Sequence, residues 1–404
     1  MANVNFKRTK LACYTACFTM ASVFCLPPLL FVTFHELYNV SWTLLGTLIL
    51  TNFCTQLAID LIFSAFSKKF NIRTVVRIMP LITSLGLLIY AIFPMAFPEF
   101  AYVGLLIGTV FFSVAAGLSE VLLSSVVAAI PSENPQRDMS LLHSLYAFGV
   151  FSVVVLGTLF IKFIGAEYWS YLTIFFAVLP IFASILFMLS PMPDMNKNES
   201  TVCVVKSKKR TLGIALCVGC IFLGSCAENV MSNWISSYMD AQLHIDKTLG
   251  DILGMATFAI LLGLTRIAYA KWGKNISRVL LVGMIGAGVC YLVVGLSSNI
   301  VFVCIACVMT GVFTAMLWPG TLIMLEEKIP NVGVASYALM AAGGDLGASV
   351  APQLMGVIAD ASGLQTGMLV TAIFPVLGIV LMLVIMRFFK TAPKEFEGLK
   401  SGNV

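Results

Sequence analysis

Polar residues punctuate this chain rather than pattern it. Twelve long apolar runs follow one another at roughly 11–34, 43–66, 72–94, 99–129, 141–163, 168–190, 211–239, 248–270, 278–296, 299–325, 332–359 and 366–388. A helix needs about 20 apolar residues to cross a bilayer, and each run supplies a stretch of that order. The runs are continuously apolar, whereas a membrane barrel would alternate apolar and polar positions along each strand. The pattern predicts an all-α membrane protein with twelve transmembrane helices. No remaining stretch is large enough for a soluble domain.

Between the runs, Pro, Gly, Asn and Ser mark short turns. One connection is long and polar: residues 191–210, PMPDMNKNESTVCVVKSKKR, between the sixth and seventh runs. It divides the chain into an expected six-helix bundle over 1–190, a linker over 191–210, a second bundle over 211–390 and a tail over 391–404. Weak internal similarity agrees with that division. A basic KRT near the start and KKRT at 208–211 both lead into a run. Lys69-Phe70-Asn71 lines up with Lys271-Trp272-Gly273, and Ile130-Pro131 with Ile329-Pro330, in each case some two hundred residues apart. Two parallel six-helix repeats of this kind enclose a central cavity.

Composition agrees with the pattern, with 59% hydrophobic and 11% charged residues in 404. The formal net charge of +5 comes from basic residues gathered in loops, so it predicts membrane orientation rather than nucleic-acid binding. With the N-terminus inside, every Lys and Arg except Lys162, Lys247 and Arg266 falls on the inner side. Both termini are therefore expected to be cytoplasmic, in the plasma (inner) membrane. Cys217/Cys220 and Cys304/Cys307 have CxxC spacing, but inside spans, where they read as small apolar packing residues. No metal or cofactor is expected. No Gly-x-x-x-x-Gly-Lys-Ser/Thr loop is present, which argues against ATP drive and for a secondary carrier.

Ionisable residues inside a span are costly and normally face a cavity or a partner. Here they are Asp60, Glu120, Glu228, Arg266 and Asp345. Counting about 1.5 Å per residue from the inner ends puts Arg266 at roughly 7 Å, Asp60 at roughly 12 Å, Glu120 at roughly 16 Å, Asp345 at roughly 22 Å and Glu228 at roughly 25 Å. Glu120 is thus nearest the midplane, and it is the expected proton-coupling residue. Asp60, Arg266 and Asp345 are expected to be gating or structural charges, Asp60 acting with Arg266 or Lys68. In span seven, Asn229, Ser232, Asn233 and Ser236 follow i, i+3, i+4, i+7 and share a face. With Glu228 and Trp234 that face offers amides, hydroxyls and a flat ring, which suits a sugar. Trp318, in the helix-breaking LWPG, is a second expected platform, and Gln56 and Tyr146 are further expected cavity residues.

The 6+6 arrangement, with basic loops SAFSKKFNIR (64–73) and GLTRIAYAKWGK (263–274) after spans two and eight, resembles the major facilitator superfamily. Four segments are similar to the fucose–galactose–glucose:proton symporter branch and its fucose-permease-like members: AAGLSEVLLSS (115–125), CAENVMSNWISSYM (226–239), LWPGT (317–321) and AAGGDLGASVAPQL (341–354). The resemblance implies alternating access and puts the branch's coupling acid at Glu120. Span one, TACFTMASVFCLPPLLF (15–31), lacks the acid that the fucose symporters carry there. The coupling ion is therefore left as a proton or sodium.

The expected function is secondary active transport of a small polar solute, a monosaccharide, by proton-coupled symport, with the chain a monomer in the bilayer. A drug or metabolite exporter of the same fold, and a non-transporting receptor or scaffold, are the alternatives.

Overall fold

The computed structural model describes residues 6–66, 71–132, 135–193, 208–329 and 334–391. Lys68, Lys69, most of the linker and the tail beyond 391 lie outside them. The described residues form sixteen α-helices: α1 Lys7–Leu29, α2 Phe31–Tyr38, α3 Trp42–Phe66, α4 Ile72–Ala96, α5 Ala101–Ala129, α6 Pro135–Ile164, α7 Trp169–Met188, α8 Lys208–Ser237, α9 Lys247–Leu249, α10 Thr257–Trp272, α11 Ile276–Leu296, α12 Ile300–Thr314, α13 Leu317–Lys328, α14 Val334–Ser362, α15 Leu364–Thr371 and α16 Ile373–Thr391. They fall on all twelve apolar runs. Among the described residues, ten helical segments are long and apolar enough to cross a membrane, and the shorter apolar helix Phe148–Ile164 lies in the fifth run.

Four runs are broken by identifiable chemistry. Pro27 and Pro28 remove two N–H donors from the end of α1, and the helix restarts as α2 after Leu30. The eighth run opens with α9 and a π-helical stretch, Gly250–Ala256, before α10. The tenth run breaks at Ala315 and Met316, four and three residues before Pro319. The twelfth parts at Ala372, three residues before Pro375. Helix starts follow local capping rules: Asn71 accepts a hydrogen bond from the Thr74 N–H, and Asn299 accepts from Val301 and Phe302.

The chain divides into two compact units, Met1–Glu199 with Met239–Ala256, and Ser200–Tyr238 with Thr257–Val404. The segment Met239–Ala256 thus joins the first unit, where its fully buried Asp251 contacts Thr158 of α6. Each unit packs its helices through glycines, because apolar side chains gain little by leaving lipid and close backbone approach supplies the attraction instead. In the first unit Gly149 of α6 lies against α1, where a Cβ would come within 2.4 Å of the Phe18 carbonyl oxygen. In the second unit Gly347 of α14 lies against α8, and its Cβ would meet the Phe222 carbonyl oxygen at 2.4 Å. The same correspondence holds for Gly117 of α5 against the Gln56 carbonyl of α3, and for Gly311 of α12 against the Phe258 carbonyl of α10. These contacts repeat between the units in chain order, a physical counterpart to the weak sequence repeat.

Of the thiols expected to pack in spans, Cys217, Cys220 and Cys307 are buried and Cys304 is half-buried. The glycine contacts yield a test. Gly149→Ala and Gly347→Ala are expected to destabilise the protein by about 1–3 kcal/mol each, the usual cost of overpacking. Gly263→Ala, where a Cβ meets nothing within 4 Å, should leave the thermal midpoint unchanged. Thermal unfolding of the purified variants in detergent reads both.

Candidate functional site

In the first unit the polar groups lie on two facing helices. Asn52, Gln56 and Asp60 recur every fourth residue on α3, which stacks them on one face. Ser113, Gly117 and Glu120 run along α5 at helical spacing. Gln56 Nε2 donates to Asn52 Oδ1 at 2.9 Å, and Ser113 Oγ lies 2.7 Å from the same oxygen. Gly117 brings the helices close enough for its Cβ position to sit 3.2 Å from Asp60 Oδ1. Glu120 is exposed. It lies near Asp60 of α3 and Cys17 of α1. Gln56 itself is buried and held within this ladder. Tyr146 of α6 is half-buried, its ring edge-on to Phe24 at 5.8 Å.

In the second unit one arginine joins three helices. Arg266 Nη2 on α10 lies 3.2 Å from Glu228 Oε1 on α8. Arg266 Nε donates to the Ala315 carbonyl at 2.9 Å. That carbonyl is free for a covalent reason. Its helical partner would be the N–H of residue 319, and Pro319 has none. The break between α12 and α13 is thus closed by a side chain from α10. The guanidinium side chain keeps 39% of its surface exposed and Glu228 keeps 19%, so the pair is not sealed in the core.

Asn229 and Asn233 share a face of α8, as their spacing requires. Asn229 Nδ2 donates to the Ser225 carbonyl and Asn233 Nδ2 to the Asn229 carbonyl. Their side-chain carbonyl oxygens are left to accept from another group. Trp234 departs from the expected sugar platform. It is fully buried, and its indole N–H donates to the Pro352 carbonyl at 3.1 Å. Its position follows from the spacing itself: residue 234 is one step past Asn233 and so turns about 100° off the amide face. Trp318 is half-buried and covers Gly344, where a Cβ would fall 2.1 Å from the ring. Asp345 is buried in α14, between Gly344 and Gly347.

One expectation about charge is revised. Counting along each helix separated Glu228 and Arg266 by roughly 18 Å in depth, yet their side chains form an ion pair. The count ignores helix tilt, unequal overhang beyond the membrane and the reach of an arginine. Lys68, one of the expected partners of Asp60, lies outside the described residues. Sequence reasoning also missed three residues. Asn52 and Ser113 were legible as polar positions at helical spacing from Gln56 and Glu120. Asp251, inside the eighth run, is absent from the intramembrane charges named above; it accepts from Thr158 at 3.2 Å and Lys247 at 2.5 Å.

A polytopic helical bundle, with polar groups and paired charges inside its spans and no metal-binding cluster among the described residues, has the build of a solute carrier. The sequence profile of the Major Facilitator Superfamily matches residues 12–275 and 217–402, and the chain belongs to that family. It is a membrane transporter and not an enzyme. No curated protein matches it. Solved structures share its fold at low identity. A D-xylose–proton symporter superposes with a TM-score of 0.79 at 14% identity, covering 94% of this chain and 97% of its own. The xylose transporter XylE from E. coli, in a partially occluded inward-open conformation, gives 0.74 at 12%, covering 93% and 96%. The nucleoside transporter NupG gives 0.67 at 15%, covering 95% and 98%.

Arg266 makes a quantitative prediction. Arg266→Ala leaves both the Ala315 carbonyl and Glu228 without their partner and should cost about 1–3 kcal/mol, the range for an unsatisfied buried group. Arg266→Ala and Glu228→Gln should be non-additive by about 0.5–3 kcal/mol in a double-mutant cycle of thermal or denaturant unfolding. Additive effects would show that the pair does not act as a unit.

Proposed function

We propose that the chain is a secondary transporter that moves a small polar solute of the monosaccharide class together with a proton. Glu120 binds and releases the proton. The observation that carries this reading is Glu120 itself: an acidic residue, exposed, within a membrane-spanning helix, with no ion pair among the described residues. A charge so placed is costly unless it works. A carboxyl can stay neutral against an apolar surround and ionise when water reaches it, which is the cycle a proton-coupled carrier runs.

The sugar assignment rests on the amide and guanidinium groups of the second unit. Asn229 and Asn233 have acceptor oxygens to spare, and the half-exposed Arg266–Glu228 pair offers a donor and an acceptor side by side. Vicinal hydroxyls, which donate and accept in pairs, suit that arrangement. Trp318, half-buried, supplies an aromatic face, while Gln56 and Tyr146 border the first unit's polar ladder. Likeness of fold to a D-xylose–proton symporter agrees with the class of solute and does not fix it. The loop charges support a reading with both termini on the cytoplasmic side of the plasma membrane.

Labelled pentoses and hexoses, screened with the full chain in liposomes, test the reading. Wild type is expected to accumulate one of them when an inward pH gradient is imposed. Glu120→Gln should lose all uphill uptake and keep exchange of internal for external solute. Undiminished gradient-driven accumulation in that variant, or accumulation that follows sodium and ignores pH, would contradict the assignment.

A further inference from the structure

Asp60 Oδ1 is buried without a hydrogen-bond partner. The other unpartnered buried side-chain polar atoms among the described residues belong to Arg77, Tyr90, Ser237 and Gln353, so this is the one carboxylate oxygen so placed. The ion pairs Lys10–Asp138, Lys247–Asp251 and Arg266–Glu228 do not involve Asp60. An ionised carboxylate with a dry, unpartnered oxygen is strongly disfavoured. Asp60 therefore needs a proton, a donor or both.

Its surroundings offer one source. Gly117 of α5 borders Asp60 directly, and Glu120 follows three residues later on the same side of that helix. The Cys17 thiol of α1, near the same point, is already engaged with the Leu142 carbonyl at 3.3 Å. On α4, Met79 meets Ser119, the neighbour of Glu120, at 3.4 Å, and that helix also carries Arg77, whose Nε is buried without a hydrogen-bond partner. Glu120 is an exposed residue with three rotatable side-chain bonds, so its carboxyl can swing toward α3 or away from it.

We propose that Asp60 and Glu120 form a carboxyl pair holding a single proton, so that Asp60 is the positioning partner that sets when Glu120 takes and gives up its proton. The proposal rests on the reading of Glu120 as the coupling acid. Two carboxylates this near each other repel, and one proton relieves both costs. The step is a simple transfer: water delivers a proton to one carboxylate oxygen, the resulting O–H donates to the other carboxylate, and release returns the proton to water. Span one has no acid, and α3 supplies the second carboxyl in its place.

Infrared titration of the purified full-length protein tests the pair without any transported solute. Wild type is expected to show one protonated-carboxyl band that disappears as the pH rises. Glu120→Gln and Asp60→Asn should each remove or displace it. Asp60→Glu, which keeps the carboxyl, should displace it without removing it, and it stands in if the asparagine variant fails to fold. A band lost in Glu120→Gln but unchanged in both Asp60 variants would overturn the pairing while leaving Glu120 as the coupling acid. Absence of any such band in wild type would overturn it as well. Failure of the transport reading would appear instead in the liposome flux, where Glu120→Gln would transport like wild type.

Discussion

Hydrocarbon offers a polar group no partner. Every buried donor and acceptor in a membrane span must therefore be answered from within the protein, and much of this structure follows from that requirement. Serine and threonine hydroxyls turn back onto their own helices, as Thr109, Thr173, Thr310 and Thr371 do. Trp234, Tyr238 and Tyr291 each donate to a backbone carbonyl of another helix. Pro319 creates an orphan carbonyl at Ala315, and Arg266 answers it. Arg266 in turn needs a counter-charge, which Glu228 supplies. One missing N–H thus accounts for a chain of three residues on three helices.

The same requirement sorts structure from function. A buried polar residue whose hydrogen bond is answered, such as Trp234, holds its bundle together. The residues left partly open are the ones with capacity to act: Glu120, exposed and without an ion pair among the described residues, and Asp60, with a dry oxygen. Glycine contacts make the arrangement possible. Gly117 is small enough to let α3 and α5 bring Asp60 and the Glu120 face together, and a methyl group there would press on the Gln56 carbonyl at 3.1 Å.

What the sequence made legible was whatever depends on one segment at a time. Apolar length located the spans, the LWPG stretch located the break at Ala315, and spacing located the amide face of α8. What it hid was pairing between segments. Glu228 and Arg266 are 38 residues apart and sat at different counted depths, yet they touch. Asp60 looked like a gate residue because nothing in a linear reading links it to Glu120, 60 positions further on. The link is a glycine contact between two helices, visible only once they are packed. Trp234 shows the converse error, since a residue adjacent in sequence to a polar face need not lie on it.

The central claim is that solute movement carries a proton through the carboxyls of the first unit. Proton flux measured directly is the sharpest test. The full chain in lightly buffered liposomes, given a transported monosaccharide with no imposed gradient, should alkalinise the outer medium as solute enters. The change should vanish in Glu120→Gln. Solute entry by the wild-type protein with no accompanying change in external pH would contradict the account.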